Sequence, residues 1–155
     1  MLKLLFLLTL VSLLSACAPT LHKGPTFKTA PSPTEKEALI YIYRPHAPPL
    51  WRSPTIYFND TEIVDLYNHG YSYIYASPGT YQLLSDWSFD AGPPDLKGEM
   101  TFQGGKTYYI RMTGRMGFSS STITTSSKIE KLSSEQVLSD ISHCMYIKPK
   151  LARIK

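Results

Sequence analysis

The side chains with most scope for ligand chemistry are three aromatics and two carboxylates in two loops. Asp86, Trp87, Phe89 and Asp90 fall together in a stretch rich in Gly, Pro and Asp, and Trp51 sits beside Arg52 in the Pro-rich stretch 45–54. An aromatic platform flanked by acidic hydrogen-bonders is the composition of a sugar-binding or small-ligand site. The same aromatics also suit a plainer role, folding back to plug the open end of a β-sandwich, and both readings stand. Catalytic spacing is missing. His22, His46, His69 and His143 are scattered, with no further His or Cys at metal-ligand spacing, and the adjacent His143 and Cys144 side chains would point in different directions. Ser119-Ser120-Ser121 lacks the Gly-x-Ser-x-Gly frame of a nucleophile elbow. Gly104-Gly105-Lys106-Thr107 lacks the first glycine of a phosphate loop and the following helix whose N-terminus would hold the anion, so it reads as a hairpin turn. The sequence therefore predicts a non-enzyme with no catalytic residue, no metal and no diffusible cofactor.

The two cysteines divide between covalent modification and packing. Cys17 ends a segment that begins with Lys3, continues as the apolar run Leu4–Leu14 and closes on the small residues Ser15 and Ala16. That order is a secretory signal. The run is too short to span a bilayer as a permanent helix. Leu14-Ser15-Ala16-Cys17 resembles the bacterial lipobox, which implies cleavage before Cys17, a diacylglycerol on its thiol and an N-acyl lipid on its new amine. One acyl chain binds a membrane marginally, whereas two or more anchor it stably. Ala18 stands where an Asp would favour inner-membrane retention, so the resemblance implies the outer membrane, with the head in the periplasm or, as the alternative, at the surface. Cys144 is then alone in an oxidising compartment. It reads either as a buried inert thiol or as a partner in an intermolecular disulfide.

Charge adds little to the choice of partner. The chain carries a formal +4, and losing Lys3 with residues 1–16 leaves +3, too mild to indicate nucleic acid. The expected partners are the membrane, through the anchor, and an envelope protein or glycan.

The elements that must position these groups are mostly strands. Residues 17–37 contain Pro19, Pro25, Pro31 and Pro33 among polar residues with no apolar period, which predicts a tether from the lipidated Cys17. At about 3.1 Å per residue its extended reach is roughly 60 Å. From residue 38, short alternating or apolar segments recur at 38–44, 55–58, 62–67, 71–76, 80–85, 99–102, 107–112 and 121–132, with Asn, Asp, Gly and Pro between them. Close, even spacing of this kind predicts a small antiparallel β-sandwich of seven or eight strands over residues 38–147. One helix is expected over 134–143, capped by Ser133 or Ser134, with Val137, Leu138 and Ile141 as its apolar face. Residues 148–155 read as a basic, frayed tail whose Lys148, Lys150, Arg153 and Lys155 suit solvent or anionic lipid. The strands carry many of the eleven tyrosines. Tyr41 and Tyr43 alternate with Ile40 and Ile42, and Tyr71, Tyr73 and Tyr75 share a face. Because a sandwich core prefers the aliphatic faces, these tyrosines are expected on an outer face, either paired across strands or docking a partner.

In order along the chain come Tyr43-Arg44-Pro45, Pro54-Thr-Ile-Tyr57, Gly70-Tyr-Ser-Tyr73, Pro78-Gly-Thr-Tyr81 and Gly105-Lys-Thr-Tyr-Tyr-Ile-Arg111. As a set they resemble a bacterial family of small lipoproteins with an uncharacterised domain similar to the PEGA-type β-sandwich module. The resemblance covers about residues 38–145. It implies the fold and the lipoprotein class, and no catalytic activity. Asn59-Asp60 departs from the Asn-Gly or Asp-Gly turn usual in such hairpins.

Overall fold

Residues 38–44 bury their side chains on both faces of the sheet they form, and the rest of the fold supplies the two covers. The structure, a computed structural model, describes residues 24–50, 52–87, 95–119 and 122–155. In chain order these form β1 (Ala38–Arg44), β2 (Thr55–Phe58), β3 (Thr61–Asp65), β4 (Gly70–Ala76), β5 (Gly79–Asp86), β6 (Leu96–Phe102), β7 (Thr107–Ser119), β8 (Thr122–Leu132), α1 (Ser134–Ile141), β9 (Met145–Tyr146) and β10 (Arg153–Ile154). A six-stranded sheet runs β10-β4-β1-β7-β8, with β9 also on β4, and a four-stranded sheet runs β3-β2-β5-β6. The fold is thus the mainly-β sandwich with one short helix that the strand spacing predicts, and among the described residues neither sheet closes into a barrel.

The two sheets meet over the aliphatic faces. Ile40, Ile42, Ile74 and Ile110 pack against Ile56, Phe58, Val64, Leu83 and Phe102. The turn at Asn59-Asp60 carries both residues at positive φ (46° and 60°), the backbone of a type I′ hairpin turn built without glycine.

Four features differ from expectation. First, β1 pairs β7 in parallel, as β4 does β9 and β10, so the larger sheet is mixed. Second, β7 continues to Ser119, well past the segment 107–112 expected, and with β8 makes a long ribbon. Only Thr107–Arg111 of β7 lies against β1. Third, residues 148–155 are not frayed. The Lys150 N–H donates to the Ile63 carbonyl at 2.8 Å, its Nζ pairs with Glu62 and Asp65, and Arg153–Ile154 joins β4, so the tail closes one side of the sandwich. Fourth, the described part of the expected tether, 24–37, is part of the fold. Thr26 bridges Met145, the Tyr146 N–H donates to the Pro25 carbonyl at 2.8 Å, and the Gly105 N–H is shared between the Thr34 and Glu37 carbonyls. Gly104 is needed there because a Cβ would overlap the Glu35 carbonyl.

This strap and α1 cover the outer face of the larger sheet. Tyr41 stacks on Tyr109 with ring centroids 5.1 Å apart, and Phe27 from the strap lies 5.6 Å from Tyr41 and 5.2 Å from Tyr71. The Ala30 N–H donates to Tyr41 Oη at 2.6 Å, and Tyr75 Oη donates to the Pro31 carbonyl at 2.8 Å. Val137 and Ile141 of α1 pack on the same cluster, while Leu138 is 54 % exposed, so the helix buries an i, i+4 pair rather than the three residues expected. Ser133 holds the N-cap position in extended backbone, but its hydroxyl bonds Gln136 Oε1 and caps no amide.

Candidate functional site

The strap and helix leave one part of the outer face open, and it is polar. Beyond β1 the ribbon of β7 and β8 presents Arg111, Thr113 and Arg115 on one strand, opposite Glu130, Lys128 and Ser126 on the other. Residues 45–48 form the facing wall. Together they bound a groove of about 650 Å³, within the range of small-molecule sites. Gly114 sets the closeness of the walls, since a Cβ there would overlap the Pro48 carbonyl oxygen.

The wall is organised from beneath by Arg44. Its side chain is fully buried and has no carboxylate partner among the described residues. Instead Nη1 donates to the carbonyls of Arg52 at 2.5 Å and Leu66 at 3.5 Å, and Nη2 to those of Ala47 at 3.1 Å and Pro49 at 2.5 Å. The guanidinium carbon lies 4.9 Å from the centroid of the Trp87 ring, a cation–π contact. Burial lowers the Arg44 pKa to about 10, which leaves it a cation at neutral pH.

Charge is distributed unevenly along the ribbon. Arg111 donates to Glu130 at 2.8 Å and to Asp140 of α1 at 2.9 Å, which ties the helix to the sheet and raises the Arg111 pKa. Lys128 pairs with Glu130 at 2.5 Å, and these two cations, Lys128 first, hold the Glu130 carboxyl below its ordinary range. Further out, Arg115 faces Ser126 and has no ion pair among the described residues.

At the rim, His46 Nδ1 and His69 Nε2 are 2.8 Å apart and share a hydrogen bond. Burial, then His46 and His143, lower the His69 pKa. Sequence spacing put these histidines in unrelated loops, and only the β1–β4 register, which sets Arg44 beside Gly70, brings them together. Among the described residues no three His, Cys, Asp or Glu side chains gather as a metal cluster.

Of the residues singled out from the sequence, Cys17, Trp51, Phe89 and Asp90 lie outside the described residues. Trp87 is 3 % exposed, within the core and against Arg44. Its ring is packed beneath the wall and is not exposed as a platform. Asp86 ends β5 opposite Thr55. Cys144 is fully buried, with Sγ 3.8 Å from the Arg44 carbonyl and 3.7 Å from that of Asp140, and burial pushes the thiol up to about 12. An inert thiol is the outcome, because the thiolate needed for exchange is suppressed. The tyrosine face is outer, as expected, but the chain covers it, so it is not an open docking surface. In the sequence Arg44 stands out only as part of Tyr43-Arg44-Pro45. Its signal was an arginine ending an otherwise apolar strand with no acid nearby in the chain.

The model of the family described as "protein of unknown function (DUF2846)" matches residues 34–126, more than half of the chain, and the chain belongs to that family. The match holds β1 to β7, the start of β8 and the Arg44 wall. The strap before Thr34, α1, β9 and β10, which seal the tyrosines and the side of the sandwich, fall outside it. No curated protein and no solved structure matches the chain.

Proposed function

We propose that this chain is a lipid-anchored, non-enzymatic module of the bacterial cell envelope, held to the outer membrane by acyl chains on Cys17, that binds an envelope protein or glycan. The observation that carries the reading is Leu14-Ser15-Ala16-Cys17 behind Lys3 and an apolar run. The fold bears on how such an anchor would act. Six residues separate Cys17 from Gly24, which already lies against the Tyr146 backbone. Fully extended they span at most about 25 Å, less than half the reach expected of a free tether. The head then works in a thin shell at the membrane, where its effective concentration for envelope partners is high.

The way the head uses its reactive groups favours binding over catalysis. The Cys144 thiol is buried, Tyr41 and Tyr71 hold the strap, and Arg111 is paired with two carboxylates. The test is Cys17→Ser. Incorporation of labelled fatty acid is expected to vanish and the uncleaved precursor to accumulate. A variant that is processed and fractionates with membranes like the wild type would overturn the anchor.

A further inference from the structure

We propose that the groove between residues 45–48 and the β7–β8 ribbon binds an oxyanion, the carboxylate or phosphate of an envelope ligand, with Arg115 as its principal contact. The inference rests on the binding-module reading for its biological setting, and the anchor plays no part in it.

Three observations carry it. The first is charge. Arg44, Arg111, Arg115 and Lys128 surround the groove or lie under its wall, against the two carboxylates Glu130 and Asp140. The excess is positive, and a cleft with low-dielectric walls focuses such a field. The second is where the excess falls. Both carboxylates are at the inner end on Arg111, while Arg115 stands at the outer end across from the neutral Ser126. An arginine fork fits a carboxylate or phosphate through two parallel N–H donors, and the neighbouring Thr113 and Ser126 carry hydroxyls. The third is preorganisation. The Ala47 carbonyl of the facing wall and the Pro49 carbonyl beyond it accept from Arg44 beneath, and the Pro48 carbonyl is pressed on Gly114. The Ala47 and Pro49 acceptors are therefore engaged within the fold, which leaves fewer acceptors for a cation in the groove and favours its donors.

The test is a titration of the full-length protein, in neutral detergent at low ionic strength, with inorganic phosphate and separately with alanyl-alanine as a carboxylate probe. The amide signals of Thr113 and Gly114 are followed. Saturable shifts are expected, with affinity falling about tenfold in Arg115→Gln, the loss of one charge-assisted contact, and less in Lys128→Gln. Arg153→Gln, on the far side of the sandwich, is expected to bind as wild type. A response to one probe alone identifies which oxyanion the groove selects. Shifts that stay linear with both probes, or equal affinity in Arg115→Gln and wild type, would overturn the proposal, and neither result would touch the lipidation test of Cys17.

Discussion

Along β7 the outward-facing residues change character within one pleat. Tyr109 lies stacked on Tyr41, in the cluster sealed by the strap and α1, and Arg111, Thr113 and Arg115 continue the same face into the groove. One half of the outer face is aromatic and sealed by the chain's own ends. The other is charged and open. The contrast teaches that residue type on this face follows the cover. Tyrosine packs its ring and keeps its hydroxyl bonded where a strap passes overhead, and arginine, lysine and glutamate take over where the strap ends.

The sharpest way to break the comparison is to truncate one side chain in each half. Tyr41→Ala removes a buried ring and the acceptor for the Ala30 amide, so a loss of about 3–5 kcal/mol is expected in urea unfolding. Arg115→Ala, exposed and unpaired among the described residues, is expected to stay within about 0.5 kcal/mol of wild type. Similar losses in the two would mean that the halves do not differ in role. Next in size is Gly114→Ala. Its Cβ must push the Pro48 carbonyl off the ribbon, and overpacking of this kind costs about 1–3 kcal/mol. Oxyanion affinity is expected to fall with it while the strap amides are unchanged.

The halves also separate by pH. Burial raises Tyr41 and Tyr43 from 10.0 to about 12 in the folded protein. A neutral form favoured by folding contributes stability that is complete below pH 10 and lost as pH rises toward 12. The lowered pKa of His69 acts in the other direction. Its contribution is complete above its unfolded value, near 6.5, and is lost as pH falls through the folded one. The sealed half is thus sensitive to alkali and the open half to mild acid. In thermal melts, His69→Asn, which tolerates the positive φ at that position, is expected to flatten the acid limb and leave the alkaline limb intact. An unchanged acid limb would remove His69 as its source.

Much of the sandwich was legible because its core obeys a period. Ile40 and Ile42 alternate with Tyr41 and Tyr43, and that alternation fixed the inner face and put the tyrosines outside. The cover was not legible, because it obeys none. The strap is proline-rich and polar and docks largely through backbone groups and one ring, Phe27. Residues 148–155 read as a solvated basic run because their partners, the β3 and β4 backbones and the Glu62 and Asp65 carboxylates, lie far away in the chain. Parallel pairing of β1 with β7 joins segments far apart in the chain, and nothing local encodes it. The site fared worse than the fold for the same reason. Trp87 was legible as either platform or plug, and its burial beside Arg44 was not, because Arg44 is forty-three residues away in the chain. The groove joins a loop after β1 to a ribbon some seventy residues later, a juxtaposition set by register alone.

The central claim is that residues 24–37 belong to the domain and seal its tyrosine half. Amide hydrogen exchange of the full-length protein tests it most directly. The Lys28 and Ala30 N–H groups donate to Tyr71 Oη and Tyr41 Oη at 3.1 and 2.6 Å, and the Tyr146 N–H to the Pro25 carbonyl. These amides are expected to be protected to a degree approaching that of the β1 amides and to lose protection together in Tyr41→Ala. Exchange at the rate of free peptide across residues 24–37, with β1 still protected, would contradict the claim and return that segment to a tether.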